Sequence, residues 1–201
     1  CTPRNILTNF VVMSIACGIN HSAAMAVKRR LEFAALGSLH AGPASKISSL
    51  VLKDGILCAA LGAGFTIVVN RNGEAFAFGN NDWGQLGMDA ASTTDKTDDG
   101  IPIATQPTRI PKLVETRIAY VASGYAFVLA ITEDNKVLFW GNNNHCQSGL
   151  GVEMKTQTVI DTPTEVRALS SKGVVQFACG SFFNIALTNA GDIYTWGIRD
   201  E

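Results

Sequence analysis

The chain has 201 residues, of which 47% are hydrophobic and 16% charged. That length suits one or two domains, and the composition supplies a buried core, which excludes a disordered chain. Sixteen basic residues nearly cancel 17 acidic ones, leaving a net charge of −1, so charge does not indicate a nucleic-acid partner.

The longest apolar run, residues 56–69, is broken by Gly62, Gly64 and Thr66. It is too short to cross a bilayer, and no membrane insertion is expected. The cysteines Cys1, Cys17, Cys58, Cys146 and Cys179 form no Cys-x-x-Cys pair. Neither a disulfide framework nor a zinc site follows. A reducing intracellular compartment (cytoplasm, nucleus or mitochondrion) is favoured.

In chain order, one set of landmarks recurs. The first unit, residues 1–42, starts near Pro3 and has an apolar strand ending at Cys17-Gly18. A second strand begins near His21, the tip is Lys28-Arg29-Arg30, and Leu36-Gly37 closes the unit. The second unit, 43–87, has Pro43, an inner strand ending at Leu61-Gly62, and strands over 66–70 and 74–78. Between them Asn72-Gly73 is a strong hairpin signal, because a two-residue turn needs positive φ. Phe78-Gly79 then leads into a polar motif ending at Gly87.

Residues 88–106 are unrepeated and read as a connecting loop. The third unit, 107–151, has Pro107, Ser123-Gly124, strands over 128–132 and 136–140 around Asp134-Asn135, and Trp140-Gly141. The fourth, 163–201, has Pro163, Cys179-Gly180, Ala190-Gly191 and Trp196-Gly197.

From first glycine to second the spacing is 19, 17, 17 and 17 residues. Each proline is read as opening an edge strand at the head of its unit. Strand repeats of this length without a helical period point to an all-β fold of β-propeller blades. A single blade cannot bury both faces, so blades stack in a ring. Both chain ends fall inside the repeat pattern, so the four units read as an incomplete part of a longer propeller.

The segment Ile15-Ala16-Cys17-Gly18-Ile19-Asn20-His21-Ser22-Ala23-Ala24-Met25 resembles a signature of the regulator of chromosome condensation family. Phe78-Gly79-Asn80-Asn81-Asp82-Trp83-Gly84-Gln85-Leu86-Gly87 resembles that family's second signature. The resemblance implies a seven-bladed propeller. The signature histidine occurs once, at His21, and its matches are Phe65, Phe127 and Phe183. All three phenylalanines are expected in the core, with His21 beside them. The second signature is degraded in the third unit, over residues 141–149.

Gly18, Gly62, Gly124 and Gly180 are read as structural corners, and Gly79, Gly141 and Gly197 as strand ends. Gly84 and Gly87 shape the motif loop, while Asn81 and Gln85 satisfy its backbone groups. Trp83 is expected at the surface. No triad, metal-ligand spacing or phosphate loop is present, so no catalytic residue, metal or cofactor is expected.

Partner binding is assigned to unrepeated features: Asp89, Asp95, Asp98 and Asp99 in residues 88–106, Trp83, and the cations Lys28, Arg29 and Arg30. The resulting expectation is a non-catalytic protein-interaction module, as a scaffold subunit of a larger assembly, with 88–106 meeting a basic partner. The alternative implied by the resemblance is a guanine-nucleotide exchange factor for a small GTPase. The family's acidic residues just after the signature glycine are absent here: those positions hold Ile19-Asn20, Ala63-Gly64, Tyr125-Ala126 and Ser181-Phe182.

Overall fold

The computed structural model describes residues 11–17, 21–27, 31–37, 54–93, 95–151 and 156–198. The first sheet contains β1 (Val11–Cys17), β2 (His21–Val27) and β3 (Leu31–Gly37). The second contains β4 (Ile56–Leu61), β5 (Phe65–Asn70), β6 (Ala75–Asn80), β7 (Asp95–Lys96) and β8 (Pro102–Arg109), in the order β4-β5-β6-β8-β7. The third runs β9 (Ile118–Ser123), β10 (Phe127–Thr132), β11 (Val137–Asn142) and β12 (Val159–Glu165) from inside out. The last contains β13 (Val174–Cys179), β14 (Phe183–Thr188) and β15 (Ile193–Gly197). Described helical structure is confined to single turns, including α1 (Arg167–Ser170).

Register carries the repeat into three dimensions. Phe65 pairs with Gly79, Phe127 with Gly141 and Phe183 with Gly197. His21 pairs with Gly37 in the same way, so it occupies the backbone position of the phenylalanines. The longer spacing in the first unit lengthens its ladder, which runs on to Val27 opposite Leu31. The tips Asn72-Gly73, Asp134-Asn135 and Ala190-Gly191 all join antiparallel strands, as expected. The tip at Lys28-Arg29-Arg30 lies outside the described residues, as do Gly18 and the side chain of His21.

The proline strands differ from expectation. Pro107 lies in β8 and Pro163 in β12, and each strand hydrogen-bonds to the sheet before it. β12 is the outer edge of its sheet, and β8 is covered outside only at Pro102 and Ile103, by β7, so both prolines lie on stretches with an open edge. Both prolines sit where the register shifts, opposite 77–79 and 139–141. An edge strand with a bulge tolerates a residue that has no N–H to donate.

The core lies between sheets. β10 is buried on both faces: Val128 and Ala130 pack toward the second sheet, Phe127, Leu129 and Ile131 toward the fourth. Phe65 and Phe127 are fully buried, but Phe183 is 48% exposed, contrary to expectation. On β14, Asn184, Ala186 and Thr188 face the third sheet, while Phe183, Ile185 and Leu187 point to the other side, where no described sheet covers them.

Candidate interaction surface

Strand direction sorts the connections onto two faces. The β4–β5, β9–β10 and β13–β14 corners share one face with the described parts of the long connections that follow β6 and β11. This is the loop face. The two-strand tips and the links between sheets occupy the opposite, hairpin face.

The inner strands meet around the ring axis, where Gly62, Gly124 and Gly180 lie against one another. A Cβ on Gly62 would overlap the Phe65 ring and approach the Gly124 carbonyl, and Gly124 stands likewise toward Phe127 and Gly180. Between corners, the Ala63 amide donates to the Tyr125 carbonyl at 2.7 Å, and the Tyr125 amide to the Ser181 carbonyl at 3.4 Å. A hollow of about 280 Å³ opens here, lined partly by Cys17 and Cys179. Burial pushes the thiol of Cys179 up to about 12 and that of Cys58 up to about 11. Neither suits a nucleophile, which needs an accessible thiolate.

The motif loop after β6 is closed by its own polar side chains. Asn81 is buried: its Nδ2 donates to the Met88 carbonyl at 2.9 Å and its Oδ1 accepts from the Leu86 amide at 3.0 Å. Gln85 Oε1 accepts from the Trp83 amide at 2.8 Å, and its Nε2 donates to Asp82 at 2.8 Å. Gly84 has φ +66 and lies against Asp161, while Gly87 lies against Ile110 and Trp140. The degraded copy keeps the design. Asn143 Oδ1 accepts from the Ser148 amide at 3.0 Å, and Gln147 Oε1 from the His145 amide at 2.7 Å. Cys146 stands where Gly84 stood and keeps a positive φ of 59°.

Each motif loop grips the next sheet. Trp140 Nε1 donates to the Gln85 carbonyl at 2.9 Å, and Trp196 Nε1 to the Gln147 carbonyl at 2.7 Å. Asn70, Thr132 and Thr188 are a further repeat that sequence reading passed over. Their side-chain oxygens accept from the amides of Glu74, Lys136 and Asp192 and fasten the three tips. The available signal was a polar residue ending each second strand at the same phase as the glycines.

Of the partner-binding candidates, those in 81–101 lie on the loop face, and Lys28, Arg29 and Arg30 fall outside the described residues. Residues 88–106 are not one open loop: β7 and β8 pair as a small hairpin, with Asp98 and Asp99 exposed at its tip. Asp95 is exposed and accepts from Thr105 Oγ1 at 2.7 Å. Asp89 caps the turn Ala90–Ser92, and hydrogen bonds from the Ser92 hydroxyl and amide hold its carboxyl below the usual range. Trp83 is half-buried rather than fully exposed.

Sequence reading missed an aromatic group on the same face. The rings of Tyr125 and Phe182 lie 6.1 Å apart, and those of His145 and Phe182 4.7 Å apart. Among the described residues, no three His, Cys, Asp or Glu side chains gather as a metal site, and no helix is long and apolar enough to cross a membrane.

This geometry has relatives. Residues 72–131 and 134–187 each match the Regulator of chromosome condensation (RCC1) repeat. The E3 ubiquitin-protein ligase HERC2 of Homo sapiens is 28% identical over 200 residues, 94% of this chain but 4% of that protein. The X-linked retinitis pigmentosa GTPase regulator of Canis lupus familiaris is 34% identical over 138 residues, 68% of this chain and 12% of the regulator. The chain therefore spans a small part of these relatives. Prp20p from Saccharomyces cerevisiae shares the fold with a TM-score of 0.76 at 24% identity, over 95% of this chain and 44% of that one. With the repeat matched across more than half of its length, and with its sheets laid out as blades, the chain belongs to the regulator of chromosome condensation repeat family.

Proposed function

We propose that this chain is part of a propeller that binds a protein partner through its loop face, without catalysis, as a scaffold within a larger assembly. The observation that carries the reading is charge placement. Among the described residues, the connections of the loop face bear Asp82, Asp89, Asp95, Asp98 and Asp99 against Lys96. The hairpin face mixes both signs, with Arg71, Lys112, Arg117 and Lys136 beside Glu115, Glu133 and Asp134. A one-sided acidic surface steers a basic partner and excludes acidic ones.

The test is capture of partners by the full-length protein with and without residues 97–100. Loss of a partner on deletion supports the reading, and unchanged binding refutes it. A second reading, nucleotide exchange on a small GTPase, is supported by the similarity to a GTPase regulator and to Prp20p, which binds Gsp1p. The four corners carry no carboxylate after the signature glycine, which favours the first reading. Stimulated nucleotide release from a small GTPase would establish the second.

A further inference from the structure

We infer that Tyr125, Phe182 and His145 form a seat for an arginine or lysine side chain of the basic partner. This rests on the loop-face reading above. The three residues come from two neighbouring corners and the motif loop between them. They do not serve the repeat: Tyr125 is matched by Ala63 and Ser181, Phe182 by Gly64 and Ala126, and His145 by Trp83.

Tyr125 is nonetheless 42% exposed, and His145 is also exposed. Aromatic surface left open where the fold does not require it marks a contact. The rings are tilted against one another at 36° and 55° rather than stacked face to face. Ring faces attract cations through the quadrupole, and Asp82, Asp89, Asp98 and Asp99, on the same loop face, draw a basic partner to that face.

The seat is held before the partner arrives. The His145 amide is fixed by Gln147 Oε1 at 2.7 Å, the Asn144 amide by Asn142 Oδ1 at 2.9 Å, and the Tyr125 corner by the backbone bonds that link the corners. Pre-arranged rings cost little side-chain entropy on binding.

The experiment measures fluorescence anisotropy of a labelled oligo-arginine peptide on the full-length protein, with oligo-citrulline of equal length as the uncharged control. Tyr125→Leu and Phe182→Leu keep apolar bulk but remove the ring face. Each is expected to weaken oligo-arginine binding roughly three- to tenfold, while Tyr125→Phe binds as the wild type.

Where a leucine variant loses its cooperative unfolding transition, His145→Lys at its exposed position replaces it as the test, since a built-in cation fills the seat and should abolish binding. If Asp98→Asn with Asp99→Asn weakens binding but the leucine variants do not, the seat is wrong and the acidic loop face stands. Equal binding of oligo-citrulline, or no binding of oligo-arginine, also overturns the seat. The 97–100 deletion then tests the loop face separately.

Discussion

Gly141 has φ +109, and a Cβ there would run into the Ala126 carbonyl and the Phe127 backbone. Both strain and collision oppose a side chain, and backbone cannot swing aside as a flexible side chain can. Gly141→Ala is therefore expected to cost at least about 3 kcal/mol. Gly100 also has positive φ, +80, but nothing lies near its added Cβ, so Gly100→Ala should cost only about 1 kcal/mol. Urea denaturation of the two variants checks the ordering.

Trp140→Phe keeps the ring's burial and removes the donor to the Gln85 carbonyl. The expected loss is about 1–3 kcal/mol, because a buried acceptor goes unpaired. The thiols give a pH test. Cys58 and Cys179 are raised by burial to about 11 and about 12, so the folded chain keeps protons that the unfolded chain releases. Stability contributed by these groups is complete below the ordinary thiol value and is lost as pH rises from about 9 toward 12. Alkylation near pH 8 should label exposed Cys146 and Cys17 and leave Cys58 and Cys179 unmodified until unfolding, read by mass spectrometry of digests.

At the scale of the element, β10 and β14 have the same motif phase and opposite surroundings. The residues of β10 are buried on both sides, whereas β14 alternates exposed and buried. Phe127→Ala should cost about 3–5 kcal/mol, the range for a fully packed phenylalanine. In the same 201-residue chain, Phe183→Ala should cost less than about 1 kcal/mol, since it gives up little packing. Equal losses would show that both faces of β14 are covered.

The short strand β7, with the turn that joins it to β8, is the converse case, an element the blades do not need. Its pairing joins only Asp95 with Ile103 and Lys96 with Pro102. Removing residues 97–100 should leave the far-UV circular dichroism and the unfolding midpoint nearly unchanged, because shortening a surface connection alters closure entropy little. It should also flatten the salt dependence of partner binding, which measures the contribution of Asp98 and Asp99.

At the scale of the whole molecule, the sequence by itself determined the repeat phase and, in the second, third and fourth units, the corner glycines and the tips. These are set within a few residues, by positive φ at turns and by strand alternation, so Gly73 and Gly141 announced their roles without a structure. The motif loops were legible for the same reason: Asn81 and Gln85 bond to neighbours fewer than eight residues away.

Only the tertiary structure decided what depends on neighbouring sheets. It attached the Pro107 and Pro163 strands to the preceding blades, tied Trp140 to Gln85 across 55 residues, exposed Phe183 while burying Phe127, and brought Tyr125, Phe182 and His145 together. The physical reason is range. A turn is selected by the backbone preferences of the residues that make it, whereas burial and clustering are selected by whichever chain segment packs alongside, and identical repeat positions carry no mark of what their neighbour will be.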